Sequence, residues 1–124
     1  MNKRMNDIKS QLLIDLITRA PSESIYECTD YFGIFDFYNI KSRNIKFIIT
    51  EPMTYQMELT SSNKKALVNF FRDIPCSSIP TQENHIYFQG KKIFESYDNM
   101  EFIILIDDCF KINKEYYRKN GVNI

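Results

Sequence analysis

The chain of 124 residues has little of what most catalytic and cofactor sites require. It contains one histidine, so a site with several histidine ligands is excluded. Its three cysteines are far apart and form no Cys-x-x-Cys pair, so there is no zinc-knuckle or thioredoxin-like motif. The glycines Gly33, Gly90 and Gly121 are isolated, which excludes a glycine-rich phosphate-binding loop. We therefore expect no catalytic residue, no metal and no cofactor.

A surplus of charge and a long apolar run are also absent. The 16 lysines and arginines balance 16 acids, whereas non-specific binding to nucleic acid needs a basic surplus, so we expect no nucleic-acid partner. The longest apolar run, residues 102–106, is far shorter than the roughly 20 residues that cross a bilayer. Polar residues also interrupt the apolar core that an N-terminal signal peptide would need. These features predict a soluble, cytoplasmic protein with reduced thiols and no membrane partner.

The composition is that of a globular domain. Hydrophobic residues make up 44% of the chain and glycine and proline are few, which disfavours long flexible linkers. A chain of this length buries roughly two thirds of its unfolded surface and needs no disulfide or metal for stability. We predict a single domain over residues 1–124.

Three segments have the spacing of amphipathic helices. Residues 3–19 carry apolar side chains at steps of three and four, and Pro21 ends the pattern. A second stripe begins after capping hydroxyls at residues 60–62 and ends before Pro75. Residues 108–119 form the third segment. These are the predicted N-terminal, middle and C-terminal helices.

Between the helices, β-branched and aromatic residues indicate strands joined by short turns. The last segment is the most apolar, so we expect it at the centre of the sheet, and we expect the first to be covered on both faces. The sequence thus predicts an α+β fold: an antiparallel or mixed sheet of about six strands in two groups of three, with the three helices packed on it. The predicted strands are residues 31–40, 45–49 and 55–59 in the first group, and residues 86–88, 93–94 and 101–106 in the second.

One pair of acids follows an apolar strand directly. Asp107 and Asp108 come after residues 102–106, and strand-end carboxylates hold the divalent ion in many nucleases and phosphotransferases. With Asp36 and Glu101 they could make such a site. The simpler interpretation, which we favour, is that one of the two caps the helix that follows.

Two other arrangements could carry chemistry. His85 could act as a general base for a cysteine brought near it by the fold, although the local sequence favours an ordinary histidine at a strand edge. The 18 Phe and Tyr residues could line a cup for a small ligand, but a packed core explains them better. In particular, Tyr31, Phe35 and Phe37 are expected to share a core-facing side of the first strand.

The neutral total conceals segregated charge. Residues 21–40 and residues 95–108 carry acids and no lysine or arginine, while the basic residues cluster elsewhere. If the two acidic segments meet, they form a negative face that attracts a basic protein. The alternative is that each acid lies on a separate solvated edge. The predicted partner-binding residues are Glu23, Glu27, Asp30, Asp36, Glu95, Asp98, Glu101, Asp107 and Asp108.

These features favour a non-enzymatic inhibitor that binds a basic protein. A bacterial immunity protein or antitoxin that neutralises a toxin domain, in particular a nuclease, has the expected size and charge pattern. An anti-defence inhibitor carried by a phage fits the same features. The other hypotheses are a metal-dependent nuclease or phosphotransferase that uses Asp107 and Asp108, and a small-ligand-binding α+β cup.

Overall fold

The computed structural model describes residues 7–124, which fold as an α+β domain. None of the described helices has the length and apolar character needed to cross a membrane. A short 3-10 helix, Ile40–Arg43, follows the second α-helix. The α-helices are α1 (Ile8–Arg19), α2 (Ile34–Phe37), α3 (Ser61–Asp73) and α4 (Lys114–Lys119). The strands are β1 (Ile25–Thr29), β2 (Ile48–Glu51), β3 (Thr54–Glu58), β4 (Glu83–Phe88), β5 (Lys91–Tyr97) and β6 (Phe102–Leu105).

The six strands form one antiparallel sheet in the order β2-β3-β1-β4-β5-β6. Its two halves are groups of three strands, β1 to β3 and β4 to β6, and the pairing of β1 with β4 joins them. The predicted fold class is therefore confirmed.

One face of the sheet carries the hydrophobic core. Alternate strand residues such as Tyr26, Met57, Ile86 and Phe94 are buried there with the apolar stripes of α1 and α3. Asp7 caps α1 by accepting from the Ser10 backbone N–H at 2.9 Å, and Thr60 caps α3 in the same way. The helix layer thus lies on a single face, as the spacing of the sequence predicts.

The predicted N-terminal and middle helices are confirmed with small differences at their ends. The structure describes α1 from Ile8, so residues 3–6 of the predicted helix lie outside the described part of the chain. The middle helix ends at Asp73, and Ile74 and Pro75 leave it in extended backbone.

The prediction of a strand over residues 31–40 is wrong. The segment folds as α2 and the 3-10 helix, because Asp30 accepts hydrogen bonds from the backbone N–H groups of Ile34 at 3.1 Å and Phe35 at 2.7 Å. Gly33, with φ of +69°, supplies the left-handed turn between them. Of the aromatics expected in the core, Phe35 is buried but Tyr31 and Phe37 are exposed.

The sequence patterns do not predict strand β1, Ile25–Thr29. Its five residues alternate between half-buried and buried positions, and it pairs on both sides, with β3 and with β4. The first group of three strands is therefore β1, β2 and β3, and not a meander that begins at residue 31.

Two expectations for the C-terminal part are also wrong. Strand β6 lies at the edge of the sheet instead of its centre, with Phe102 59% and Ile104 48% exposed. The last helix begins at Lys114 and not near residue 108, because Asn113 caps it by accepting from the Tyr116 N–H at 3.1 Å.

Replacing Asp30 by alanine tests the helical turn that displaces the predicted strand. We expect Asp30→Ala to lower the free energy of unfolding by about 3 kcal/mol, because two backbone donors at a buried site lose their acceptor. Urea denaturation measures the change. The matched control is Asp36→Ala, an exposed acid of α2, for which we expect a change below about 0.5 kcal/mol. Equal effects of the two substitutions would contradict this role of Asp30.

Candidate functional site

The surface most suited to a partner is the sheet face opposite the helix layer, which we call the open face. Strand side chains alternate between the two faces, so every buried core residue has a neighbour on this side. The pairing register assigns it Ile25, Glu27, Thr29, Ile48, Glu51, Thr54, Gln56, Glu58, Glu83, His85, Tyr87, Lys92, Glu95, Tyr97, Phe102 and Ile104.

One row of directly paired residues crosses the whole open face. At its centre, Glu27 of β1 lies opposite His85 of β4, and His85 lies opposite Glu95 of β5. Exposed isoleucines end the row, Ile48 on β2 and Ile104 on β6. The open face is therefore acidic at its centre and apolar along both edges.

His85 is the most buried side chain of this row, with 8% of its surface exposed. The rings of Tyr87 and Tyr97 flank it, with centroids 6.3 Å and 5.5 Å away. Its Nε2 lies 3.6 Å from Glu83 Oε1, and its Nδ1 has no hydrogen-bond partner among the described residues. The imidazole ring of His85 thus packs between the two tyrosine rings, and its Nε2 faces the Glu83 carboxylate.

Carboxylates bond to two tyrosines on or beside the open face. The Tyr97 hydroxyl donates to Glu95, which raises the pKa of Tyr97 to about 12 because ionising the phenol would place a second negative charge beside the carboxylate. That hydrogen bond, together with Lys92 at 3.3 Å, lowers the pKa of Glu95. Tyr31 donates to Glu83 at 3.0 Å, and this bond raises the pKa of Tyr31.

A shallow depression of about 270 Å³ lies at one end of the open face. Three glutamates line it, Glu27, Glu51 and Glu83, together with Tyr31 and His85. No lysine or arginine of the described chain contributes to its wall. The depression concentrates negative charge at a site that a cationic side chain can enter.

The predicted partner-binding acids are only partly brought together. Glu27 and Glu95 share the open face, one strand apart on either side of His85. Sequence reasoning missed the other three glutamates of the open face, Glu51, Glu58 and Glu83. The alternation of Glu83, His85 and Tyr87 would have revealed Glu83 had its strand been extended to begin at residue 83.

The remaining predicted acids lie elsewhere. Asp30 is 1% exposed, and its carboxylate accepts hydrogen bonds from the first residues of α2, so it cannot contact a partner in the folded domain. Glu23, Asp36 and Asp98 are exposed in turns or on α2, outside the strands. Glu101 is exposed and paired with Lys9 at 3.0 Å. The two acidic segments therefore do not form one continuous face of nine carboxylates.

Asp107 and Asp108 do not cap a helix, which corrects the preferred interpretation of this pair. Asp107 accepts from the Cys109 backbone N–H at 2.9 Å in a local turn, and Asp108 pairs with Lys114 at 3.3 Å. No group of three or more potential metal ligands occurs among the described His, Cys, Asp and Glu residues.

The cysteines are free thiols placed in environments that disfavour the thiolate. Burial is the main cause that raises the pKa of Cys28, Cys76 and Cys109, whereas a nucleophilic cysteine needs a lowered pKa. Cys28 also faces the core, while His85 is on the open face. The structure therefore places no activated thiol beside the histidine.

Positive charge collects on the helix side of the domain. Two larger depressions along α3, of about 570 and 470 Å³, are lined by Arg43, Lys64, Lys65 and Arg72 among others. Lys64 is held by the Thr18 and Ala20 carbonyls at the end of α1, and Arg43 pairs with Asp73 at 2.7 Å. The charged side chains that line the depressions along α3 are thus mainly basic, whereas three glutamates line the depression on the open face.

Comparison with known proteins gives no assignment. No family model, curated protein or solved structure matches the chain. What the open face can do is therefore inferred from its own side chains.

The hydrogen bond between Tyr97 and Glu95 can be tested by titration. We expect the Tyr97 phenol to titrate near pH 12 in the native protein and closer to the ordinary value of 10 in Glu95→Gln, which removes the negative charge. NMR of ¹³C-labelled tyrosine resolves the individual rings. Glu83→Gln is the control, because it should lower the pKa of Tyr31 and change that of Tyr97 less. An unshifted Tyr97 in the native protein would show that the bond is absent.

Proposed function

We propose that this protein is a non-enzymatic inhibitor that binds a basic partner protein through its open face. The observation that carries the proposal is the charge of that face. Five glutamates and one lysine stand among its strand residues, and the lysine is already paired with Glu95. A face with unneutralised carboxylates accelerates association with a positively charged surface and disfavours acidic partners.

The apolar edges of the open face supply the hydrophobic area that a stable protein interface also needs. Ile48, Phe102 and Ile104 are each about half exposed or more on the open face. Burying such side chains yields roughly 25 cal/mol for each Å² removed from water, which charges at a hydrated surface do not provide. An acidic centre between apolar edges therefore suits a protein partner better than a small cation.

The partner class we propose is a toxin domain with nuclease activity, for which this chain would be the immunity protein or antitoxin. A nuclease binds phosphates through lysines and arginines, and carboxylates spaced across a rigid sheet offer these cations an alternative set of acceptors. Because the strands pair in one fixed register, the carboxylates are held in place before binding, which reduces the entropic cost of association.

Reversing charge on the open face tests the proposal. We expect the double variant Glu27→Lys, Glu83→Lys to slow association with the partner at least about tenfold at low salt and to flatten the salt dependence of the rate. The partner is obtained by affinity capture on the native protein, and its association rate is then measured with the purified components by surface plasmon resonance.

The matched control is Lys65→Glu, an exposed charge on the helix side. We expect it to leave the association rate within a factor of about two, since the interface lies on the other side of the sheet. If Lys65→Glu weakens binding as much as the glutamate reversals do, the helix side is the interface. The captured protein must also lose nuclease activity at a one-to-one ratio, or the assignment as an immunity protein is wrong.

A further inference from the structure

We propose that the outer edge of β6 binds an extended segment of the partner, which adds as a seventh strand to the sheet. This inference rests on the proposed function, because it concerns how the same basic partner engages the domain. The partner segment has apolar residues at alternate positions and lysine or arginine at its ends. The backbone geometry of β6 and the charges of the residues that flank it carry the argument.

Strand β6 lacks three of the features that keep an edge from pairing. Proteins protect edge strands with prolines, lysines or bulges. The other edge strand, β2, has an irregular register between Ile49 and Glu51 and is followed by Pro52. Strand β6 pairs with β5 in continuous register and contains Phe-Ile-Ile-Leu with no proline or charge. It is therefore the edge that is suited to accept another strand.

Within the described part of the chain, the register shows which backbone groups of β6 face away from the sheet. The Ile106 N–H donates to the Ile93 carbonyl at 3.0 Å, which continues the pairing of Ile104 with Glu95 and of Phe102 with Tyr97. Bonding directions alternate along an antiparallel strand. The N–H and C=O groups of Ile103 and Leu105 therefore point outward, away from β5.

The side chains of β6 also suit an added strand. Phe102, Ile104 and Ile106 are all about half exposed or more, and Phe102 and Ile104 project on the open face. An added strand would place its own alternate residues beside them, at the spacing of about 5 Å between neighbouring strands. The contact would then be continuous with the acidic open face.

Charge at the two ends of β6 selects the occupant. Exposed acids flank the strand, Glu101 before it and Asp107 and Asp108 after it. Glu101 and Asp108 pair with Lys9 and Lys114, but these carboxylate side chains are 66% and 71% exposed, so the ion pairs are weak and leave both acids open to a competing cation. Two copies of this chain paired antiparallel through β6 would place Glu101 of each beside Asp107 and Asp108 of the other, which is repulsive. A strand with cationic ends meets attraction at both ends, so the edge fits a basic partner and disfavours self-association.

The test is hydrogen exchange of individual amides, measured by NMR with a synthetic peptide as the probe. The peptide has alternating valine and threonine with two lysines at each end. At millimolar peptide we expect the amides of Ile103 and Leu105 to exchange about tenfold more slowly, whereas those of Phe102 and Ile104 are protected beforehand by β5. The same peptide with glutamates at its ends is the control and should leave Ile103 and Leu105 unchanged.

Replacing the amide of Ile103 by an ester removes one outward donor and no donor that bonds to β5. We expect this variant to lose about tenfold in affinity for the lysine peptide, while the corresponding ester at Ile104 lowers stability and keeps the outward donors. Unchanged exchange at Ile103 and Leu105 with the lysine peptide overturns strand addition, as does equal protection by the glutamate peptide.

The remaining outcomes separate this inference from the proposed function. The lysine peptide could shift the NMR signals of Glu27, His85 and Glu95 without protecting the Ile103 amide. That result would leave the open face as the interface and exclude the β6 edge. Protection of Ile103 that rises with protein concentration in the absence of peptide would identify a second copy as the occupant and overturn the proposal. A third outcome is that the lysine peptide protects Ile103 while Glu27→Lys and Glu83→Lys leave partner binding unchanged. This result would support strand addition at β6 and reject the open face as the interface.

Discussion

The buried side chain of Asn84 fixes the alignment on which the open face depends. Its amide oxygen accepts from the hydroxyls of Tyr26 and Thr81, and its amide nitrogen donates to Ser96 at 3.2 Å. These bonds join β1, β4 and β5 inside the core, where an unpaired polar group costs free energy, so only one register satisfies all of them. Because strand side chains alternate, that register also sets Glu27, His85 and Glu95 side by side on the opposite surface.

The alternation of side chains along the strands explains why the open-face glutamates are separated from the basic side chains of α3. Acids at the outward positions of β1, β4 and β5 cannot reach the lysines of α3, which the core holds on the other side. Within the face, tyrosine hydroxyls and Lys92 bond to individual carboxylates without cancelling the total. The remaining negative potential falls off over about 8 Å at physiological ionic strength, so it acts mainly on a surface that comes close.

Periodicity predicted the parts of the fold that local patterns determine. The stripes of α1 and α3 and the hairpin of β4 and β5 follow from residue spacing and turns, and they were found where expected. Residues 31–40 have strand-forming composition, yet Asp30 turns them into a helix through bonds that span four and five residues. The apolar composition of residues 102–106 predicts a central strand, yet β6 lies at the edge of the sheet. The order of strands depends on pairing between distant segments, which composition does not encode. The acidic segments that contain Glu27 and Glu95 are visible along the sequence. Glu83 lies outside them and joins these acids only through strand pairing.

The open face and the β6 edge would contribute differently to one interface. Long-range attraction between carboxylates and a basic surface acts before contact and therefore mainly raises the association rate. Backbone pairing and burial of Phe102 and Ile104 act after contact and would mainly slow dissociation. An isolated domain gains little from exposing apolar side chains on an unprotected edge, since such edges promote aggregation. Their retention beside an acidic centre is consistent with a surface that is covered when the protein performs its function.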